Sequence, residues 1–137
     1  MSQENVEVVR RVIEANRSDD IEGGIETVVA LSDPGVEFTS VMAAVEPETY
    51  RGHDDIRRYY RELADSWAEW HMEVEQVFDV GRDTVFVAFG THLVGAHTGA
   101  TVEAKRGGVF VFSEGKIVSA HIYPTRAEAL EAVGLRE

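Results

Sequence analysis

The 137-residue chain contains no cysteine, so neither a disulfide nor a thiolate zinc site is available to it. No stretch approaches the roughly 20 consecutive apolar residues that a membrane-spanning helix needs. The opening MSQENVEVVRR lacks the apolar centre of a secretion signal. Both readings place the protein in the cytoplasm with no membrane partner expected. Basic residues are scarce: 13 Lys and Arg stand against 25 Asp and Glu, for a formal net charge of -12. A surface of that sign repels nucleic acid and anionic membranes, so neither is expected as a partner. Chemical signatures are missing too. The pairs Gly23-Gly24 and Gly107-Gly108 match neither a phosphate loop nor a dinucleotide fingerprint, and no Gly-x-Ser-x-Gly elbow occurs. No His-x-x-x-His or His-x-His spacing suggests a metal site, and neither metal nor cofactor is expected.

What remains is a chain with 44% hydrophobic residues and no linker, repeat or low-complexity stretch. One domain over residues 1–137 is expected, able to bury roughly two thirds of its unfolded surface. Ser2 can cap a helix whose apolar residues Val6, Val9, Val12 and Ile13 follow helical spacing. Asp20 can cap a second helix with Ile21, Ile25, Val28 and Val29, which must stop before Asp33-Pro34-Gly35. Val36 to Met42 alternates as a short strand. A third helix spans about His53–Trp67, with Ile56, Tyr59, Tyr60, Leu63 and Trp67 on one stripe. Strands follow over about His71–Val80, Thr84–Val94, Val102–Phe112 and Lys116–Tyr123. Thr125 with Glu128 three residues on reads as a capping box for a last short helix, which Gly134 stops. Leu130, Val133 and Leu135 of that helix should cover one end of the fold. Helices first and a meander of strands afterwards predict an α+β domain, with helices gathered on one face of a curved sheet.

Strand residues alternate between faces, so parity sorts the candidates. One set contains Phe38, Ser40, Met42, Val85, Val87, Phe89, Thr91 and Leu93, and continues through Ala104, Arg106, Gly108, Phe110, Phe112, Val118, Ala120 and Ile122. It is the more apolar set and should face the helices, forming the core and any pocket. Phe86, His92, Glu103, Lys105, Ser119, His121 and Tyr123 should lie outside. Arg106 is the exception in the inner set, because an arginine keeps its charge and is seldom buried without a partner. It is read as a pocket cation for a carboxylate, phenolate or enolate, as the partner of an internal acid such as Glu37, or as a solvent-facing residue left by a parity error. Ser40 and Thr91 can donate to a ligand or bond backbone. Trp67, Trp70, Tyr59, Tyr60 and Phe89 can wall a cavity or serve as ordinary core. Tyr50, beside Arg51-Gly52-His53, either covers the mouth or packs as a loop residue. The expected ligand-binding set is therefore Phe38, Ser40, Tyr59, Trp70, Phe89, Thr91, Arg106 and Ile122, with no catalytic group assigned.

Of the five histidines, His53 and His97 read as solvent-exposed, and His71 has no evident companion. His92 and His121 share the outer parity and can approach Glu103, as a polar patch or as the His–carboxylate pair of a general base.

The segments TYRGHDDIRRYYREL (Thr49–Leu63) and EGKIVSAHIYPTRAEALEAVGL (Glu114–Leu135) resemble SnoaL-like domains, of the superfamily typified by nuclear transport factor 2 and ketosteroid isomerase. The resemblance implies a cone-shaped, curved mixed sheet with three N-terminal helices on its concave face and a short C-terminal helix. It also implies a small organic ligand, apolar or weakly acidic, in the closed end. Two functions are compatible with it: a cofactor-independent isomerase, cyclase or dehydratase acting on an apolar ring-containing substrate, or a non-catalytic binding or interaction module. SnoaL-like cyclases carry an acid–base aspartate on the last strand and a histidine on the strand before it. Those places fall near Ile122 and Gly108. The arginine and two aspartates of limonene-epoxide-hydrolase relatives fall near Phe89, Thr91 and Ile122, and the inward acids of ketosteroid isomerase are not evident. Relatives commonly pair through the outer sheet face, where Phe86, Val109, Val111, Ile117 and Tyr123 predict a homodimer contact.

Overall fold

The computed structural model describes residues 2–40, 42 and 47–135, and the side chains of these from Gln3 onward. Capping by the Ser2 side chain and the Val41 part of the expected first strand lie outside the described residues. Helix α1 (Ser2–Glu14) runs into a short 3-10 turn (Ser18–Asp20), then α2 (Ile21–Leu31), strands β1 (Ser32–Ser40) and β2 (Glu48–Arg51), and α3 (Gly52–Ser66). Strands β3 (Trp67–Gly81), β4 (Thr84–Gly95), β5 (Thr101–Ser113) and β6 (Lys116–Tyr123) follow, and α4 (Arg126–Ala132) closes the chain. The six strands form one sheet in the order β2-β1-β6-β5-β4-β3. The β1–β6 pair is parallel and the other pairs are antiparallel, so the sheet is mixed. The result is the expected α+β architecture, a curved sheet with the N-terminal helices on one face.

Local chemistry explains most boundaries. Asp20 accepts the Gly23 amide at 3.0 Å and starts α2, which the Asp33-Pro34-Gly35 segment follows within two residues. Glu114 and Gly115 both adopt positive φ, 51° and 78°, as a two-residue hairpin with the right-handed strand twist requires. Thr125 Oγ1 accepts the Glu128 amide at 3.2 Å. Gly134, at φ 80°, lets the Leu135 amide reach back to the Leu130 carbonyl at 2.8 Å.

Three boundaries differ from the sequence reading. Trp67 ends the expected third helix but opens β3, where it pairs with Gly95, so the strand starts four residues before His71. Tyr50 belongs to β2, a strand of four residues that is too short to show a period. The first strand begins at Ser32, ahead of Val36, and its pairing with β6 shifts between Ser32 and Glu37.

The inner face packs as parity predicts. Val85, Val87, Phe89, Leu93, Phe110 and Phe112 are buried against Val9, Val12, Ile13, Ile56 and Leu63 of the helices. Parity fails at β-bulges. On β6, Val111 pairs with Ser119 and Phe112 with Ile117, leaving Val118 as the extra residue. Ile117 therefore turns inward and is 2% exposed, and Val118 does not take the inner place expected for it. On β3 the shift between Val74 and Gln76 lets both Val74 and Val77 face the main core.

A second, smaller core lies on the opposite face. There α4 folds back and buries Ala129 and Leu130 against Phe86 and Ala88 of β4. The expectation that this helix covers an end of the fold with Val133 and Leu135 is thus corrected. It covers the outer sheet face through Leu130, while Val133 is half-buried and Leu135 exposed. Phe86 consequently disappears from the outer surface, where it was expected to contribute to a dimer contact.

Candidate functional site

Between the N-terminal helices and the inner sheet face lies a cavity of about 40 Å³. Phe38 of β1, Met72 of β3, Phe89 of β4 and Ile117 and Ile122 of β6 supply sheet-side walls; Val12, Val28 and Ile56 supply helix-side ones. Three polar residues, Asn16, Tyr59 and Tyr60, reach it, and no carboxylate or imidazole among the described residues lines it. The volume exceeds the roughly 10–15 Å³ that one water occupies, yet is below the about 150 Å³ of a cavity that holds benzene. Met42 and Met72, both in the wall, have the unbranched, adaptable side chains that let such a site enlarge.

Four of the eight expected ligand residues meet here: Phe38, Tyr59, Phe89 and Ile122. The Phe38 and Tyr59 rings meet edge to face at 4.7 Å and 89°. Ser40, Trp70, Thr91 and Arg106 are not part of the wall. Ser40 accepts the Met42 amide at 3.0 Å and lies 3.4 Å from the Tyr59 hydroxyl. Thr91 donates to the Ala104 carbonyl at 3.2 Å. Trp70 is 2% exposed, with its indole N–H buried and unpartnered among the described residues.

Arg106 corresponds to neither bland expectation. Glu37 bonds Arg51 at 3.4 Å instead, and Arg106 is half-buried rather than solvated. Its Nε is buried without a hydrogen-bond partner, and no ion pair to it is found among the described residues. Burial holds the guanidinium pKa below its ordinary value, and the neighbouring Tyr59 opposes that shift. Tyr59 itself is pushed upward by burial, with Ser40 and Arg106 pulling the other way. At neutral pH it is therefore a protonated hydroxyl that can donate.

Tyr59 is held from behind by Tyr50, whose ring stands 5.1 Å from it and edge-on. Tyr50 is fully buried and donates to Glu62 at 2.6 Å, so it is packed core rather than a mouth cover. Arg58 lies 4.5 Å over the Tyr50 ring and bonds Glu48 and Glu62, each at 2.8 Å, tying β2 to α3.

Asn16 went unnoticed in the sequence. It continues the apolar stripe Val9, Val12, Ile13 at helical spacing, and a polar residue on such a stripe is the signal that could have revealed it. Its amide nitrogen donates to the Val12 carbonyl at 2.6 Å, satisfying a free carbonyl at the end of α1. Its oxygen accepts the Tyr60 hydroxyl at 2.8 Å.

The histidines lie elsewhere. His71 and His92 stack across β3 and β4 at 4.9 Å, and His92 Nδ1 is 3.0 Å from Glu103. His121 stacks on Tyr123 at 4.0 Å and does not join them. His53 is half-buried against the Ser32 carbonyl at 3.0 Å, not solvated, while His97 is exposed. No group of three His, Asp or Glu among the described residues is placed to hold a metal.

The chain belongs to the SnoaL-like domain family, whose profile matches residues 9–120. No curated protein matches the sequence. Among solved structures it is similar to a nuclear transport factor 2-like protein of unknown function from Burkholderia pseudomallei (TM-score 0.76, 21% identity, covering 98% of this chain and 99% of that one). It is similar to a putative SnoaL-like polyketide cyclase from Jannaschia sp. (TM-score 0.71, 18% identity, 89% and 85% covered). A third similar structure is TerC co-crystallised with polyporic acid (TM-score 0.72, 17% identity, 95% and 98% covered). At these identities the likeness establishes the fold.

The places that the resemblance to SnoaL-like cyclases gives to a histidine and an aspartate, Gly108 and Ile122, are paired neighbours on β5 and β6. A Cβ on Gly108 would stand 3.0 Å from Ile122 Cδ1 and 3.2 Å from Val87 Cγ1. The space a histidine would need there is filled by core side chains.

Proposed function

We propose that this SnoaL-like protein binds a small, apolar or weakly acidic, ring-containing organic molecule in the cavity between α1–α3 and the inner sheet face. The observation that carries the reading is the composition of the wall: apolar side chains with Asn16, Tyr59 and Tyr60 as its polar groups, and neither acid nor base among the described residues. Such a wall recovers apolar burial from a ligand while a few placed polar groups orient it. Phe38, Tyr59, Phe89 and Ile122 contact the ring, with Ser40 and Arg106 behind Tyr59 and with Trp70 and Thr91 supporting the sheet. TerC, crystallised with polyporic acid, offers a precedent on this fold for an organic acid. Native mass spectrometry of protein purified from its own host tests the reading. A co-purifying small molecule is the expected result, and protein that stays unliganded both there and in a fragment screen overturns it.

A second reading, a cofactor-independent isomerase, dehydratase or cyclase, is favoured by one arrangement. The buried Tyr59 hydroxyl, 3.4 Å from Ser40 and close to the Arg106 charge, is a proton donor at the cavity wall. Turnover that vanishes in Tyr59→Phe while ligand binding persists would support it over simple binding. Two copies of the chain pair through the outer sheet face, where Val109, Val111 and Tyr123 remain half-buried.

A further inference from the structure

Resting on the reading of this cavity as the ligand site, we infer that Asn16 and Tyr60 form a hydroxyl-recognising pole that selects ring compounds bearing a neutral hydroxyl group, a phenol or an alicyclic alcohol. Both residues line the cavity, and they are 7% and 3% exposed, so their polar atoms have little access to bulk water. A carboxamide offers two N–H donors and two acceptor lone pairs. In Asn16 one N–H is used by the Val12 carbonyl and one lone pair by the Tyr60 hydroxyl. One N–H and one lone pair of Asn16, and the lone pairs of the Tyr60 oxygen, have no partner among the described residues. Burial pushes the Tyr60 phenol above its ordinary pKa, so its proton stays in the bond to Asn16 and its oxygen is left as an acceptor.

The unused valences are therefore a donor and an acceptor on two bonded residues that both line an apolar chamber. A hydrocarbon leaves both open, which costs the desolvation of each. A ketone answers the donor alone. A carboxylate also answers only the donor and brings a charge into a wall that holds no countercharge at this end. A neutral hydroxyl accepts from the Asn16 N–H and donates to Asn16 Oδ1 or to the Tyr60 oxygen, satisfying both with one group. Water can do the same in the unliganded cavity, and the ligand hydroxyl takes its place.

Phenol and toluene, matched in size and shape, separate hydroxyl recognition from apolar burial. Their affinities for the unsubstituted protein, for Asn16→Leu and for Tyr60→Phe are measured by calorimetry or by titration of amide resonances. The unsubstituted protein is expected to bind phenol roughly three- to tenfold more tightly than toluene, the range of one neutral hydrogen bond. Asn16→Leu should bring that ratio to about one or below while still binding toluene, whereas Tyr60→Phe, which frees the Asn16 oxygen for the ligand, should raise it. Tyr60→Phe removes a single hydroxyl and preserves the packing, so it decides the matter even if Asn16→Leu does not fold. A phenol-to-toluene ratio unchanged in Tyr60→Phe, or a unit ratio in the unsubstituted protein, overturns the hydroxyl pole and leaves the cavity reading intact. Failure of both compounds to bind any form overturns the cavity reading itself.

Discussion

A Cβ on Gly107 of β5 would stand 2.6 Å from the Cβ of Ala129 on α4. The helix thus lies so near the outer sheet face that no larger residue fits beneath it; Arg126 Cα and the Thr125 carbonyl are only 3.1 and 3.2 Å from the same point. This approach is what buries Leu130 against Phe86. Gly107→Val must push α4 outward and should cost about 1–3 kcal/mol, the usual range for overpacking. Urea unfolding measures it, and an unshifted midpoint would mean that α4 does not sit on Gly107.

The same helix depends on its first turn. Thr125 Oγ1 accepts the Glu128 amide, and the short α4 has few other means of satisfying its free N–H groups. Thr125→Ala should therefore lower stability by about 1 kcal/mol. Because the residue is exposed and serine keeps the capping hydroxyl, Thr125→Ser should avoid most of that loss. Equal stability of the Ala and Ser variants would remove the cap from the account.

How far these features were legible depends on whether their cause is local. Asp20, Thr125 and the Glu114-Gly115 turn act through neighbours a few residues away, and each could be read directly. The alternation Val85, Val87, Phe89 likewise gave the inner face of β4. Ile117 could not be placed, because the extra residue Val118 arises from pairing with β5 and leaves no mark on β6 alone. Phe86 looked like an outer residue because the return of α4 onto it is a tertiary event. On the site, the ring residues Phe38, Tyr59, Phe89 and Ile122 followed from parity and stripe. The part played by Asn16 depended on seeing where α1 ends relative to Tyr60, a residue 44 positions away.

Acid should weaken the fold through Glu62. The Tyr50 hydroxyl and the Arg58 guanidinium hold this carboxyl below the ordinary glutamate value of 4.5. A carboxyl whose pKa is depressed on folding adds stability that is complete above the unfolded value and is lost as pH falls through the folded one. Stability should thus decline as pH drops below about 4.5, and Glu62→Gln should flatten part of that decline. Asp55, lowered by the Arg51 amide and by Arg58, and Asp19, lowered by its bond to Arg17, keep a further part of it. Unfolding midpoints taken across this range for both proteins provide the check; identical slopes would show that the Tyr50–Glu62 bond contributes nothing to acid sensitivity.

Pairing through the outer sheet face rests on fewer residues than the sequence suggested, since Phe86 and Ile117 are buried within the protomer. Val109, Val111 and Tyr123, the last with the His121 ring stacked on it, remain half-buried, and Val109 and Tyr123 already pack against the α4 core. Light scattering at micromolar concentration should give twice the 15.2 kDa chain mass. Val111→Lys, which places a charge on that surface, should return the protomer mass. A protomer mass for the unsubstituted protein rules the pairing out.

Arg106 offers the sharpest test of ligand charge. Its Nε is buried with no partner among the described residues, and burial lowers its pKa, so folding leaves this cation partly desolvated. Leucine suits the apolar surround set by Phe89, its cross-strand neighbour, so Arg106→Leu should fold and be at least as stable as the parent. Arg106 does not line the cavity, so in this arrangement its charge reaches a ligand only through its influence on Tyr59. A thermal-shift screen of matched acid and amide pairs on both proteins separates the possibilities. Since Arg106 lies outside the wall and an amide answers both groups of the Asn16–Tyr60 pole, an acid preference in the parent that Arg106→Leu loses, with the amide response kept, would bring Arg106 into the site. Equal responses to acid and amide in the parent would assign Arg106 a purely structural place and leave ligand choice to Asn16, Tyr59 and Tyr60.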